Sequence, residues 1–189
     1  MLAELAATVD EATAAFEDFN YVRALERTEQ FFWRFCDDYL ELVKTRAYGE
    51  HDDEAGTGSA RAALMTAHDT LLRLFAPVLP FVTEEAWSWR AEGSVHRAAW
   101  PAADELRQMA DGVDGELLAT AADVIAAVRK AKSEAQVSMR TDVARAVISG
   151  SRAALDRFAL VHADVRAAGR IGAVDQQVGD GTLTVQVSL

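Results

Sequence analysis

Apolar residues recur at three- and four-residue steps from the first turn onward. Leu2, Leu5, Val9, Ala12 and Phe16 form one stripe, which predicts a helix from about Leu2 to Phe16. The turn at 18–20 (DFN) follows, with Asp18 or Asn20 able to cap the next element. A longer helix is predicted from roughly Tyr21 to Ala47, where Leu25, Thr28, Phe32, Phe35, Tyr39 and Leu42 alternate three and four apart. Val22, Trp33, Cys36, Leu40 and Val43 widen that stripe, so this helix should bury more than one side. Residues 49–59 (GEHDDEAGTGS) have no apolar periodicity and read as an exposed loop. A third helix starts near Ser59 on the stripe Leu64, Met65, His68, Leu71, Leu72 and Phe75, and Pro77 ends it. After Pro80, FVTEEAWSW predicts a short helix, with Glu84 and Glu85 in early turns where the helix dipole favours anions. The stretch GSVHRAAWP at 93–101 reads as extended.

The pattern changes towards the C-terminus. A loop rich in Ala and Asp leads to a helix from Glu116 to about Gln136, with Leu117, Ala121, Val124, Val128, Ala131 and Ala135 on one side. VARAVIS at 143–149 has strand propensity, and Ser151 can cap a helix through Leu155, Phe158, Val161 and Val165 that Gly169 can end. Thr182 to Leu189 alternates strictly, which predicts a hairpin with Ile171–Val178 around the GDG turn at 179–181. The expected fold is therefore mainly α: an antiparallel helical bundle over residues 1–110, then a long helix plus a small α+β unit of about three strands over 111–189.

Composition narrows the function classes. The 189 residues are 50% hydrophobic, enough for a core without covalent staples. The single cysteine, Cys36, excludes an internal disulfide and a multi-cysteine zinc site, and His51, His68, His96 and His162 show no metal-ligand spacing. A reducing, cytoplasmic setting fits this cysteine usage. No apolar run approaches the ~20 residues that span a bilayer, and the acidic opening MLAELAATVDEA is unlike a signal peptide, so no membrane partner is expected. Because the helical stripe begins at Leu2, Met1 reads as a start inside a larger protein. The net charge of −11 argues against a generic nucleic-acid binder. The charge is uneven, however: residues 1–60 carry 14 acids and 5 bases, whereas residues 113–189 carry 9 of each, with Arg129, Lys130, Lys132, Arg140 and Arg145 clustered. Any contact with RNA must be local and shaped.

Catalytic patterns are absent from the reading. GTGS at 56–59 lacks the Lys of a phosphate loop, no Ser-His-Asp or Cys-His arrangement is legible, and Cys36 on an aromatic helix reads as a small buried hydrophobe. The adjacent Asp37 and Asp38 would project about 100° apart on a helix and could not serve one reacting group. No catalytic residue, metal or cofactor is expected in this chain. Binding is the better prospect, since single-stranded RNA is held by stacking bases on aromatic side chains while cations meet the phosphates. The Phe31–Arg46 segment carries those residue types. Its plainer reading is that Phe32, Trp33, Phe35 and Tyr39 fill a bundle core, and that Lys44 and Arg46 complement the helix dipole.

Four segments carry a resemblance. YVRALERTEQFFWRFCDDYLELVKTRAYG at 21–49 resembles the signature helix in the anticodon-binding domain of valyl-tRNA synthetases, with an aromatic and Ala-Leu leading into FFW, FCDDYLE and a Lys. LLRLFAPVLPFVTEEAWSW at 71–89 resembles the class I segment L-L-x-P-x-x-P-F-x-T-E-E-x-W, which isoleucyl and leucyl relatives share. SVHRAAWP at 94–101 is similar to the Ser-Ile-His to Trp-Pro stretch of valyl enzymes, and VIAAVRKAKSE at 124–134 resembles the helix that begins the family's region after the bundle. FCDDYLELVK together with SVH and WP makes the valyl reading the specific one.

The resemblance implies a class I anticodon bundle whose partner is the anticodon stem-loop of valine tRNA. It also implies an upstream catalytic domain in the same polypeptide, using ATP with magnesium to activate valine; its His-Ile-Gly-His and Lys-Met-Ser-Lys-Ser motifs are not in this sequence. A helix leading into the bundle, which contributes anticodon contacts in the family, is expected ahead of Met1, and the protein is expected to be monomeric. Trp33 and Phe35 are the candidates for base stacking if exposed, Arg23, Lys44 and Arg46 for phosphate or base-edge contact, and Arg129, Lys130, Lys132 and Arg140 for the tRNA backbone. Glu84, Glu85, His96 and Trp100 are family-pattern positions expected to cap and pack. Two alternatives stay open: the same domain of an isoleucyl enzyme, whose usual C-terminal zinc module the lone Cys36 disfavours, and an acidic helical module that meets a basic protein.

Overall fold

Short-range chemistry sets most element ends in the computed structural model, which describes residues 1–50, 53–179 and 181–189. His51 and Asp52 of the expected 49–59 loop, and Asp180 of the expected GDG turn, lie outside the described residues. Helix α1 spans Leu2–Glu17 and α2 spans Tyr21–Arg34. Between them the chain reverses through Phe19 at φ 58°, with the Asn20 amide donating to the Ala15 carbonyl at 2.8 Å. Of the two capping candidates Asn20 does the work: its Oδ1 accepts from the Arg23 amide at 3.1 Å. The helical path then continues through a π turn, Phe35–Leu40, into α3, Glu41–Tyr48. The FCDDYL hexapeptide is thus the place where an expected uninterrupted α-helix widens. The π turn sets Phe35 in the core, with Cys36, Tyr39 and Leu40 partly buried against it.

Helix α4 covers Glu54–Phe75, beginning five residues earlier than the Ser59 expectation because the Asp53 carboxylate accepts from the Gly56 amide at 2.9 Å. Helix α5, Pro80–Ser88, starts on the proline as its first residue. The 93–101 stretch, expected to be extended, contains a 3-10 turn at Val95–Arg97. The Ala- and Asp-rich loop contains helix α6, Ala103–Met109, whose only buried side chains are Ala103 and Leu106, too few to show a period. Helix α7 follows at Glu116–Glu134.

The chain divides into two units. The first comprises Met1–Leu40 and Gly58–Val113, and the second comprises Glu41–Thr57 and Asp114–Leu189. The signature segment is therefore divided at Leu40, and α3 belongs with the C-terminal elements. In the first unit, α1 packs on α2 and α6 around Leu5, Val9, Phe31, Phe35, Leu71, Leu74 and Leu106, with Ala6, Ala12 and Ala67 letting backbones approach.

In the second unit, β1 (Val143–Gly150) lies between β2 (Ile171–Val178) and β3 (Thr184–Ser188). β1 runs parallel to β2 through the crossover helix α8, Arg152–Gly169, and antiparallel to β3. The expected β2–β3 hairpin does not form. The segment after β2 passes over the end of β1 instead: the Gly179 amide donates to the Gly150 carbonyl at 2.9 Å, and the Ser151 amide to the Gly181 carbonyl at 3.3 Å. β1, with Ala146, Ile148 and Gly150 buried, takes the central place, while β2, exposed along most of its length, lies at an edge. The core between sheet, α7 and α8 contains Val124, Val128, Ile148, Leu155, Phe158, Val165 and Ile171. Gly169 is the last residue of α8, but the left-handed position belongs to Arg170, at φ 56°. A Cβ at 169 would meet Ile171 Cδ1 at 2.9 Å, so a larger residue there would make the Ile171 side chain shift.

Candidate nucleic-acid interface

Helix α2 presents different chemistry on its different sides. Its inner row, Ala24, Thr28 and Phe31, is buried and continues into Phe35. Phe31, Phe35 and Tyr39 stack in series, with ring centroids 6.2 and 6.0 Å apart. Phe35, named as a stacking candidate, is thus a core residue at 7% exposure and offers no face to a base. Trp33 points outward at 55% exposure. Its ring is held in place on two sides: Nε1 donates to Glu29 Oε1 at 3.3 Å, and Phe32 meets it edge-on at 5.3 Å, itself supported edge-on by Phe75. An indole fixed this way loses little freedom when a planar ligand stacks on it.

Arg23 also faces outward, from the first turn of α2. It lines an open cleft of about 430 Å³ with Asn20, Glu26, Arg27 and Gln30, and its guanidinium makes no ion pair among the described residues. Arg27 and Arg34 farther along α2 are held by Glu11 and Glu4 of α1. Arg23 and Trp33 do not share a face: ten residues place them about 15 Å apart along the axis and about 80° apart around it. Two exposed aromatics at the α1–α2 turn escaped the sequence reading. Phe19, 78% exposed, and Tyr21, 56% exposed, meet edge-on at 6.5 Å. Positive φ on an exposed Phe is a strained arrangement that no sequence pattern announces.

The remaining cations lie in the second unit. Lys44 is exposed beside Glu41, its Nζ 2.6 Å from Oε2, a surface pair of little strength. Arg46 is drawn inward, where Nη2 lies 2.9 Å from Oδ2 of the buried Asp164, fixing α3 on α8. Lys132 is a correction to the idea of a basic outer face, because it is 2% exposed. Its ammonium donates to the Met139 and Gly169 carbonyls, both at 3.1 Å, and so closes the C-terminal end of α8. Burial lowers its pKa from the ordinary lysine value; the nearby Arg170 adds to that shift, and Asp142 opposes it. On the same helix Arg129 and Lys130 are exposed, Lys130 lying 3.9 Å from Glu134. Arg140 is exposed in the α7–β1 loop, where its amide donates to Ser138 Oγ at 3.2 Å.

The family-pattern positions pack and cap. Glu84 Oε2 accepts from Ser94 Oγ at 2.9 Å and from the Val95 amide at 3.0 Å, joining α5 to the SVH segment. His96 Nε2 lies 3.2 Å from the Pro80 carbonyl, Glu85 accepts from Trp89 Nε1 at 3.1 Å, and Trp100 Nε1 donates to Thr13 Oγ1 at 2.8 Å. Burial, assisted by Asp37, raises the Cys36 thiol pKa, the opposite of the shift that activates a nucleophilic cysteine. Among the described residues no cluster of His, Cys, Asp or Glu has the arrangement of a metal site, and no helix is long and apolar enough to cross a membrane.

Comparison with known proteins gives a consistent result. Residues 1–148 match the family described as the anticodon-binding domain of tRNA ligase. The whole chain aligns with a valine–tRNA ligase of Salinispora tropica at 56% identity and with one of Thermobifida fusca at 52%, covering 24% and 21% of those proteins. A valine–tRNA ligase of Cutibacterium acnes is 46% identical, again over the whole chain and over 22% of the relative. The chain therefore spans about a quarter or less of the length of these relatives.

Proposed function

We propose a function for this chain, which belongs to the anticodon-binding domain family of tRNA ligases: it binds the anticodon stem-loop of a valine tRNA within a valine–tRNA ligase. The observation that carries this reading is the family match over residues 1–148, which takes in the whole helical unit together with α7 and most of β1. The geometry supports a division of labour. Trp33 offers a fixed aromatic face to an unstacked base, Arg23 offers a cation, and Phe19 and Tyr21 at the α1–α2 turn offer further stacking area. Lys44, Arg129, Lys130 and Arg140 act on phosphates, positioning the RNA without reading it. In the longer polypeptide a catalytic region activates valine with ATP and magnesium and charges the tRNA, in the cytoplasm and as a monomer.

The test is binding of a valine tRNA transcript, compared with the same transcript carrying a changed anticodon, to the chain and to its Trp33→Ala and Arg23→Gln variants. Tighter binding of the valine transcript is expected, as is roughly a tenfold loss for Trp33→Ala, the low end of a lost base–aromatic stack. Equal affinity for both transcripts in the unsubstituted chain rejects anticodon reading. Full affinity in Trp33→Ala rejects the stacking role.

A further inference from the structure

His162, Arg166 and Arg170 stand four residues apart on α8 and at its end, so they form one stripe about 12 Å long. The stripe borders an open cleft of about 720 Å³, whose opposite wall is the start of β1 and β2, at Asp142, Ala144 and Gly172. Both guanidiniums are anchored through Nε alone. Arg166 Nε donates to the Ile171 carbonyl at 3.2 Å, and Arg170 Nε to Asp142 Oδ1 at 2.7 Å. Their Nη groups have no protein acceptor among the described residues. The floor beside them is bare backbone, and a Cβ at Gly172 would crowd the Ala144 carbonyl at 3.1 Å.

We propose that this cleft holds the RNA sugar–phosphate backbone, with Arg166 and Arg170 each taking a phosphate through its Nη groups; the proposal rests on the tRNA reading above. Two guanidiniums fixed by their inner nitrogens are preorganised forks, the geometry that matches phosphate oxygens and that lysines cannot reproduce. The one carboxylate in the cleft, Asp142, is engaged by Arg170 and leaves a local excess of positive charge. The cleft is open along its length, as a polymer backbone needs, and its one aromatic ring, His162, is half-buried and engaged edge-on by Phe158 at 5.7 Å. The contact is therefore to backbone and blind to sequence, and it extends RNA binding to β1, α8 and β2.

The experiment measures affinity for the valine tRNA transcript and its anticodon-changed counterpart from 50 to 200 mM salt. It uses the whole chain, the double variant Arg166→Gln/Arg170→Gln, the charge-preserving Arg166→Lys/Arg170→Lys and the variant Ala144→Glu. Ala144→Glu adds a repelling carboxylate at an exposed edge without touching either anchor. Losing two phosphate contacts should flatten the salt slope of the Gln pair by nearly two, so the unsubstituted chain loses about tenfold more affinity across that range. The Lys pair should fall between, Ala144→Glu should bind more weakly, and the valine-anticodon preference should be unchanged throughout. An unaltered slope in a folded Gln pair overturns the proposal; if that pair does not fold, unaltered affinity in Ala144→Glu does so. Failure of the unsubstituted chain to bind either transcript overturns this proposal and the tRNA reading together. Anticodon-dependent binding that none of these variants changes removes this cleft and leaves that reading standing.

Discussion

The two units hold their cations in different ways. In the helical unit Arg27, Arg34 and Arg107 reach across the surface to Glu11, Glu4 and Asp10 on α1, each pair about half exposed. In the α/β unit several basic residues are tied into the fold, while Lys44, Arg129, Lys130 and Arg140 stay exposed. Lys132 is buried on two carbonyls, Arg46 rests on buried Asp164, and Arg166 and Arg170 are fixed through Nε. The acidic unit pairs Arg27, Arg34 and Arg107 across helices and leaves Arg23 outside that set. The near-neutral unit uses its cations to join elements and keeps the outer edges of two guanidiniums open. Net charge per segment therefore says little about which cations are available to RNA; the partners of each one decide it.

Substitutions at paired positions should break or sharpen this contrast. The largest effect is expected on the signature helix itself. Phe35→Ala should lose about 4 kcal/mol in urea unfolding, as for a large aromatic removed from a core, whereas Trp33→Ala should lose under about 1 kcal/mol. Equal losses would mean that Trp33 is structural as well. Asp164→Ala should cost about 3 kcal/mol, because it leaves the Arg46 guanidinium part-buried without its counter-charge. Asp164→Asn should retain part of that stability, and urea midpoints would rank the two.

Lys132→Met should destabilise by about 1–3 kcal/mol near neutral pH by orphaning two carbonyls. The sign of its pH dependence is fixed by burial. The folded-state lysine titrates below the unfolded one, so between the two values the unfolded chain binds more protons. The unsubstituted chain should thus gain stability over Lys132→Met as pH rises towards about 10.4, the ordinary lysine value. A gap that shrinks over that range would contradict a buried charged Lys132. The smallest effect belongs to the helical surface: Glu11→Gln should change stability by about 0.5 kcal/mol or less, checked by thermal unfolding.

Much of the fold was legible where local signals agree. The stripes of α1, α4 and α7, the Asn20 and Ser151 caps and the proline start of α5 all act within a turn or two of the chain. The β2–β3 hairpin was misread because strict alternation over Thr182–Leu189 names a half-buried strand and not its neighbour. Helix α6 was missed because two buried side chains cannot display a period. Among the candidate site residues, Arg23 and Trp33, chosen by residue type, stand outward. Phe35 and Lys132 were picked by the same rule and lie inside. Cations at 130 and 132 lie about 160° apart around a helix, so an outward Lys130 goes with an inward Lys132. Which of them faces inward depends on where α8 ends, nearly forty residues later. Arg166 and Arg170 gave no signal, because their meaning comes from a cleft built by β1 and β2.

The sequence by itself determined the helix-rich architecture, the small sheet and the family resemblance, because these rest on periodicity, capping and motif spacing, which act over short stretches of chain. Only the tertiary structure decided that the signature helix is divided between two units, that β1 is the central strand, and which aromatics and cations remain outside. Those outcomes depend on burial against segments distant in sequence. A side chain's availability is set by what packs against it, and neither its type nor its near neighbours record that.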